Sequence, residues 1–170
     1  MGRLARILKH RWLDEGDLAR ALDDAALGRI ERRVAASEKR HSGEIRVCAE
    51  AGLPLSYLWR GASTRERALT MFGKLRVWDT EHNNGVLIYL LLAEHHIEIV
   101  ADRALDRLVS AEQWQEVMAH MRAAFRQGEF EAGLNAAIDA VDALLARHFP
   151  LAPGQANPNE LPDRPTLRGN

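Results

Sequence analysis

The chain has 170 residues, of which 46% are hydrophobic, a length and apolar content typical of one globular domain. Its 23 Lys and Arg nearly balance its 24 Asp and Glu, so no global positive field exists that would attract nucleic acid. The single cysteine, Cys48, excludes an internal disulfide and a zinc site built on cysteine pairs, and it fits a reducing compartment.

The N-terminal segment, residues 1–16, is basic and has an amphipathic pattern. One side of the predicted helix carries its apolar residues, Leu4, Ile7, Leu8 and Trp12. The segment lacks the apolar run and the cleavage site of a signal peptide, and the chain has no apolar run long enough to cross a bilayer. We therefore expect a soluble, cytoplasmic protein. The apolar side is expected to pack on its own domain; the alternative is peripheral contact of residues 3–13 with a membrane or a protein partner.

The main domain is predicted over residues 17–149, and it begins with a helix and a strand. Apolar residues recur at three- and four-residue spacings from Asp17 or Asp23 to Lys39, which predicts a helix. Residues 44–50 then alternate between apolar and polar side chains, and this alternation predicts the first strand.

A second helix and a second strand follow. Ser63 and Glu66 have the spacing of a capping box, and a helix is predicted over about residues 64–76. The seven apolar residues Val86–Leu92 predict a strand that is covered on both sides. A helix that joins two neighbouring strands makes them parallel, so this unit is a β-α-β crossover.

The remaining elements complete the predicted architecture. A short link after Leu92 predicts that a third strand, residues 96–101, pairs antiparallel with the second. Two long helices follow, separated by Gly128. The fold class is therefore α/β, an αβα sandwich in which a small mixed sheet of three to four strands has helices on both faces. Residues 150–170 hold five of the six prolines and are expected to form a flexible tail, or to lie extended along a surface.

The strand directions bring polar residues from distant parts of the chain to one edge of the sheet. Strands one and two start at this edge, and strand three ends there. The polar residues that these strands and their adjoining loops place at this edge are Glu44, Asp79, Glu81, His82, Asn83, Asn84, Asp102 and Arg103.

Carboxylate and amide oxygens without thiols are the ligands of a hard cation, Ca²⁺ or Mg²⁺. The expected metal ligands are Glu44, Asp79, Glu81, Asn84 and Asp102. Asn83 and Arg103 are expected to contact a bound molecule at the same edge. The alternative is that these groups only cap turns and helix ends, as polar residues at strand ends commonly do.

Four segments of the chain together resemble the TPM-domain family. They are Gly43-Glu44-Ile45-Arg46-Val47, Asn84-Gly85-Val86-Leu87-Ile88, Ile97-Glu98-Ile99-Val100, and F-R-Q-G-E-F-E-A-G-L at residues 125–134. The similarity covers roughly residues 23–148 and is greatest to the short, soluble bacterial branch, which lacks the signal peptide and the C-terminal membrane anchor of longer members. The resemblance implies an αβα sandwich.

The resemblance also implies several functions. Plant thylakoid members of the family have been assigned acid phosphatase activity and roles in photosystem repair, an animal member modulates a receptor, and some members bind calcium. Where the family usually has a glycine-rich turn after strand three, this chain has Ala101-Asp102-Arg103-Ala104-Leu105. This difference adds a carboxylate to the polar edge.

Two functions therefore stay open. The first is a non-catalytic interaction module that binds a divalent cation and an unidentified protein partner. The second is a metal-assisted phosphatase that hydrolyses phosphomonoesters at the same edge. We favour the module, because no acid/base pair or nucleophile pair has the spacing that such chemistry requires.

Overall fold

The computed structural model describes residues 3–169, apart from the side chains of residues 3, 120, 122 and 123. The helices are α1 (Arg3–Trp12), α2 (Glu15–Ala21), α3 (Asp24–Ser37), α4 (Leu55–Trp59), α5 (Thr64–Lys74), α6 (Arg103–Asp106), α7 (Ala111–Arg126) and α8 (Phe130–His148). The strands are β1 (Glu44–Glu50), β2 (Gly85–Leu91), β3 (His96–Ala101) and β4 (Thr166–Arg168). One turn of 3₁₀ helix, Leu92–Glu94, joins β2 to β3.

The sheet has four strands in the order β3-β2-β1-β4. Strand β1 runs parallel to both β2 and β4, whereas β3 is antiparallel to β2. The predicted β-α-β crossover and the antiparallel third strand are thus confirmed.

Apolar side chains pack on both faces of the sheet. On one face, Ile45, Val47 and Ile88 contact residues of α2, α3, α7 and α8. On the other face, Leu87 and Tyr89 lie in a second cluster with residues of α4 and α5 and with a residue of α1. The structure is therefore the αβα sandwich that the sequence predicted.

Side-chain caps fix where the helices begin. Ser63 and Glu66 form the predicted capping box at the start of α5. Of the two predicted starts for the helix that runs toward Lys39, Asp23 is confirmed as the N-cap of α3, and Asp17 lies in a separate helix, α2, which Asp14 caps. An N-cap residue has non-helical backbone angles, so Asp23 interrupts the helix at that point.

The proline-rich segment after residue 149 runs along the domain and supplies β4, which the sequence did not predict. The buried Arg46 guanidinium donates to the carbonyl oxygens of Pro162 and Arg164 and to the hydroxyl of Thr166. Leu161 is buried in the second apolar cluster. Of the two expectations for this segment, a flexible tail or an extended path along a surface, the structure shows the second, and the segment also completes the sheet.

The expectation that the apolar side of the N-terminal segment packs on the domain is wrong for most of its residues. Ile7 packs against the second apolar cluster, but Leu4, Leu8 and Trp12 are exposed. Periodicity places these residues on one side of a helix, but it does not determine which side of the helix faces the core.

A buried ion pair lies at the end of β1. The Arg67 guanidinium donates to both carboxylate oxygens of Glu50, at 2.7 and 2.6 Å, and the Tyr89 hydroxyl donates to the same carboxylate at 2.6 Å. All three side chains are buried. The carboxylate is fully partnered, which a buried charge requires.

We expect Arg67→Ala to lower the free energy of unfolding by about 3–5 kcal/mol, because it leaves the Glu50 charge buried without its partner. Urea denaturation measures this loss. Arg60→Ala is the matched control, since Arg60 also lies over the Tyr57 ring but pairs with Glu66 in solvent. The control should cost less than about 1 kcal/mol. Equal losses in the two variants would contradict a special role for the buried pair.

Candidate functional site

Three strand ends meet at one edge of the sheet. Glu44, the first residue of β1, pairs with Gly85, the first residue of β2. The backbone N–H of Asp102, directly after β3, donates to the Gly85 carbonyl at 2.8 Å. Glu44, Asn84 and Asp102 are therefore neighbours in space, and we refer to these three residues as the edge site.

Each residue of the edge site is buried, and one polar atom of its side chain makes a hydrogen bond. The Glu44 Oε2 atom accepts the N–H of Leu161 at 3.1 Å, and Asp102 Oδ1 accepts the N–H of Arg103 at 2.7 Å. Asn84 Nδ2 donates to the Ser42 hydroxyl at 3.3 Å. These contacts leave one side-chain oxygen on each of the three residues for another ligand.

Those remaining oxygens are Glu44 Oε1, Asn84 Oδ1 and Asp102 Oδ2. Each is shielded from solvent and makes no hydrogen bond of normal geometry within the described part of the chain. Buried polar atoms are nearly always satisfied, so a buried oxygen without a partner usually marks a bound water, a bound ion or strain. Two of these oxygens, on Glu44 and Asp102, come from the same face of the sheet, whereas alternation from Gly85 directs the Asn84 side chain toward the opposite face.

The two carboxylates of the edge site point to the same face of the sheet. Side chains alternate along a strand, so Glu44 shares the face of Cys48, and Asp102 shares that of Val100. The two residues flank β2 and are thus separated by about 10 Å, two strand spacings, at their Cα atoms.

The Val77 backbone carbonyl packs against Gly85. A Cβ atom on Gly85 would stand only 2.1 Å from the Val77 oxygen, so this carbonyl lies directly over Gly85. Only glycine allows an approach this close.

The other two predicted metal ligands do not join the buried set. Asp79 is exposed, and its carboxylate pairs with Arg76 at 2.7 Å. The Glu81 side chain is also exposed, while its backbone N–H donates to the Glu160 carboxylate at 3.1 Å. Both residues lie in the surface loop before β2.

Asn83 and Arg103, the two residues predicted to contact a bound molecule, are exposed beside the edge site. Asn83 has a left-handed backbone with φ of 51°, and its carbonyl accepts the N–H of Ala104 at 3.0 Å. The Arg103 Nε atom lies 3.8 Å from Asp102 Oδ1. His82 is exposed in the same loop.

Among residues 3–169, no group of three or more His, Cys, Asp or Glu side chains is arranged to hold a metal ion. The edge site has two carboxylates on one face of the sheet, so a cation there would need backbone carbonyl oxygens or water in addition to the carboxylates.

Three further acidic residues surround the edge site, and the sequence interpretation missed them. Burial raises the pKa of Glu44, and the nearby charges of Glu160 and Asp163 raise it further. Burial also raises the pKa of Glu38 to about 9, although its Oε1 atom accepts the Ile45 N–H at 2.9 Å. Glu38 therefore carries a proton at neutral pH and shares a hydrogen bond with Asp163. In the sequence, the signal that could have indicated this cluster is the pair of acidic residues Glu160 and Asp163.

The raised pKa of Glu38 makes the stability of the fold depend on pH. The unfolded chain releases this proton near pH 4.5, and the folded chain releases it near pH 9. The stabilisation is therefore complete below pH 4.5 and is lost as the pH rises toward 9, with a slope of at most about 1.4 kcal/mol per pH unit.

We expect Glu38→Gln to flatten this dependence, because glutamine keeps the hydrogen bond from Ile45 but does not titrate. Between pH 6 and pH 8, the wild-type free energy of unfolding should fall by about 2–3 kcal/mol more than that of the variant. Urea denaturation at several pH values measures the difference. Glu81→Gln, at an exposed carboxylate, is the control and should follow the wild type. Parallel pH profiles for Glu38→Gln and the wild type would refute the assignment.

The fold and the edge site together define a class: a small αβα domain in which buried oxygens collect where two parallel strands begin. The TPM-domain family profile matches residues 16–144, so the chain belongs to the TPM-domain family. Helix α1 and the segment that supplies β4 lie outside the matched residues.

The fold is similar to a solved structure, the NMR structure of the BA42 protein from the psychrophilic bacterium Bizionia argentinensis. The two chains are 28% identical, with a TM-score of 0.75, over 86% of this chain and 95% of the BA42 chain. No curated protein matches this chain. Among residues 3–169, every helix is too short or too polar to span a bilayer.

Proposed function

We propose that this TPM-domain protein is a non-catalytic interaction module whose edge site binds a divalent cation. The observation that carries the proposal is the pair of buried carboxylate oxygens without partners, on Glu44 and Asp102. They come from two segments that are far apart in sequence and that flank β2 in the sheet.

The donor set supports a hard cation. Two carboxylates neutralise a divalent charge, and backbone carbonyl oxygens and water can complete an all-oxygen shell. A cation would also offset the burial that raises the pKa of Glu44. Ca²⁺ tolerates irregular shells of six to eight oxygens, whereas Mg²⁺ demands near-octahedral geometry. This mixed set of side-chain and backbone oxygens therefore fits Ca²⁺ better than Mg²⁺.

The nearby nucleophile candidates favour a non-catalytic module. The Ser42 hydroxyl accepts a hydrogen bond from Asn84, and the adjacent His41 directs its ring nitrogens toward the Gly43 carbonyl, at 3.0 Å, and Asp142, at 3.4 Å. His41 is thus not oriented to activate Ser42. Burial raises the pKa of the Cys48 thiol to about 12, so this thiol stays protonated.

In the proposed module, Asn83 and Arg103 contact the protein partner. Both are exposed next to the edge site, and the Asn83 carbonyl holds the backbone that leads into α6. A protein partner that reached this surface could contact both side chains. The bound cation would then stabilise the loop that presents them.

We expect Ca²⁺ to raise the thermal unfolding midpoint by about 5–10 °C at a concentration near 100 times its dissociation constant, since it binds the folded chain only. Asp102→Asn should abolish most of this shift. Asparagine can still cap α6 through its side-chain oxygen, so the variant removes the charge and keeps the cap. Differential scanning fluorimetry with Ca²⁺ or Mg²⁺ measures the shift.

Asp79→Asn is the matched control, because Asp79 lies in the loop before β2 and pairs with Arg76 in solvent. It should keep the full Ca²⁺ response. No shift in the wild type, or equal shifts in the two variants, would refute cation binding at the edge site. Metal-dependent hydrolysis of p-nitrophenyl phosphate that Asp102→Asn abolishes would instead make the protein a phosphatase.

A further inference from the structure

Helix α1 presents its apolar side chains to solvent. Leu4, Leu8 and Trp12 follow one another at four-residue spacing and are 77%, 59% and 84% exposed. They form one stripe along the helix, which we name the α1 stripe. Exposed large apolar residues are unremarkable singly, but a contiguous set marks an interaction surface.

Partly buried polar contacts hold α1 in this orientation. The Arg6 Nε atom donates to Glu94 at 2.7 Å, and His10 Nε2 lies 3.1 Å from the same carboxylate oxygen. The Leu53 N–H donates to His10 Nδ1 at 2.9 Å, so Nε2 carries the proton and donates to Glu94. The His10 hydrogen bond, with those of Thr64 and Arg6, lowers the pKa of Glu94 to about 2.

These contacts explain why the stripe faces outward. Rotation of α1 to bury the stripe would break the hydrogen bonds of Arg6 and His10 and leave the half-buried Glu94 charge without them. The fold itself therefore holds α1 with the stripe facing outward. The stripe is available for a partner outside the chain.

A neighbouring helix extends the apolar surface. Helix α4 packs beside α1 and carries Leu55 and Trp59, which are 54% and 72% exposed. Leu55 and Arg11 line one cleft, so the two helices present these residues side by side. Of the eight large apolar residues that are exposed in the described part of the chain, five lie on these two helices.

The charge on α1 favours an anionic partner. Residues 1–12 contain four Lys and Arg and no Asp or Glu, although the whole chain has a net charge of −1. Lys9 and Arg11 are exposed on α1, and helical geometry places them on either side of the stripe. A second copy of this chain would bring like charges together. An anionic lipid surface complements both the charge and the apolar stripe.

We propose that α1 and α4 dock on the surface of an anionic lipid bilayer. The α1 stripe enters the boundary between headgroups and acyl chains, where tryptophan is favoured, and Lys9 and Arg11 contact the lipid phosphates. The proposal is independent of the edge site. It concerns a helix that lies outside the residues matched by the family profile.

Cosedimentation of the full chain with vesicles tests the proposal. Vesicles of phosphatidylcholine that contain phosphatidylglycerol should bind the protein at least about tenfold more strongly than pure phosphatidylcholine, and added salt should weaken this binding. The double variant Leu8→Ser/Trp12→Ser should lose at least about tenfold in binding to the anionic vesicles. Lys9→Gln/Arg11→Gln should remove most of the preference for anionic lipid.

The matched control is Trp78→Ser/Leu108→Ser, which removes one tryptophan and one leucine that are exposed elsewhere on the molecule. It should bind like the wild type. Circular dichroism and the unfolding midpoint verify that each variant folds. Absence of wild-type binding, equal losses in the two serine double variants, or a dimer that Leu8→Ser/Trp12→Ser dissociates without vesicle binding would each overturn the proposal.

Discussion

The parallel pairing of β1 with β2 is the constraint on which the rest of the structure depends. Its register sets Glu44 beside Gly85 at one end and Glu50 beside Leu91 at the other. The two glutamates lie on the same face of one strand, and both are buried. One carboxylate is fully partnered by Arg67 and Tyr89, and the other keeps an oxygen without a partner. Because the fold pairs the buried Glu50 carboxylate completely, the oxygen that Glu44 leaves without a partner is stronger support for a ligand at that end of β1.

The same register separates the two surfaces for which we propose a role. The edge site lies where β1 and β2 begin, whereas His10 of α1 contacts Leu53 and Glu94, just after these strands end. Seven residues of strand place these ends about 20 Å apart. A protein that rests on a bilayer through α1 would therefore hold its edge site away from the lipid.

The sequence predicted much of the fold, because its strongest signals are local. The capping box at Ser63 and the apolar run from Val86 are enough to predict the crossover, and the short link after Leu92 is enough for the antiparallel strand. Strand direction then placed Glu44, Asn84 and Asp102 at one edge. It did not distinguish them from Asp79, because burial depends on the path of the loop, and local pattern carries no information on that path.

The sequence interpretation failed where an orientation depends on a distant partner. Helix α1 shows an ordinary amphipathic pattern, but Glu94, which binds its Arg6, lies 88 residues away. The segment after residue 149 has few apolar residues, and the guanidinium of Arg46 holds it in place. Composition measures the tendency to bury apolar surface and is insensitive to contacts of this kind.

Strand β4 has a consequence for how the protein behaves in a crowded solution. Parallel pairing with β4 covers Cys48, Ala49 and Glu50, so these residues of β1 are not at an open edge. An uncovered apolar strand offers its backbone N–H and C=O groups as a template for foreign chains, a common route to aggregation. Three residues from a proline-rich segment thus shield this end of β1 from pairing with a foreign chain.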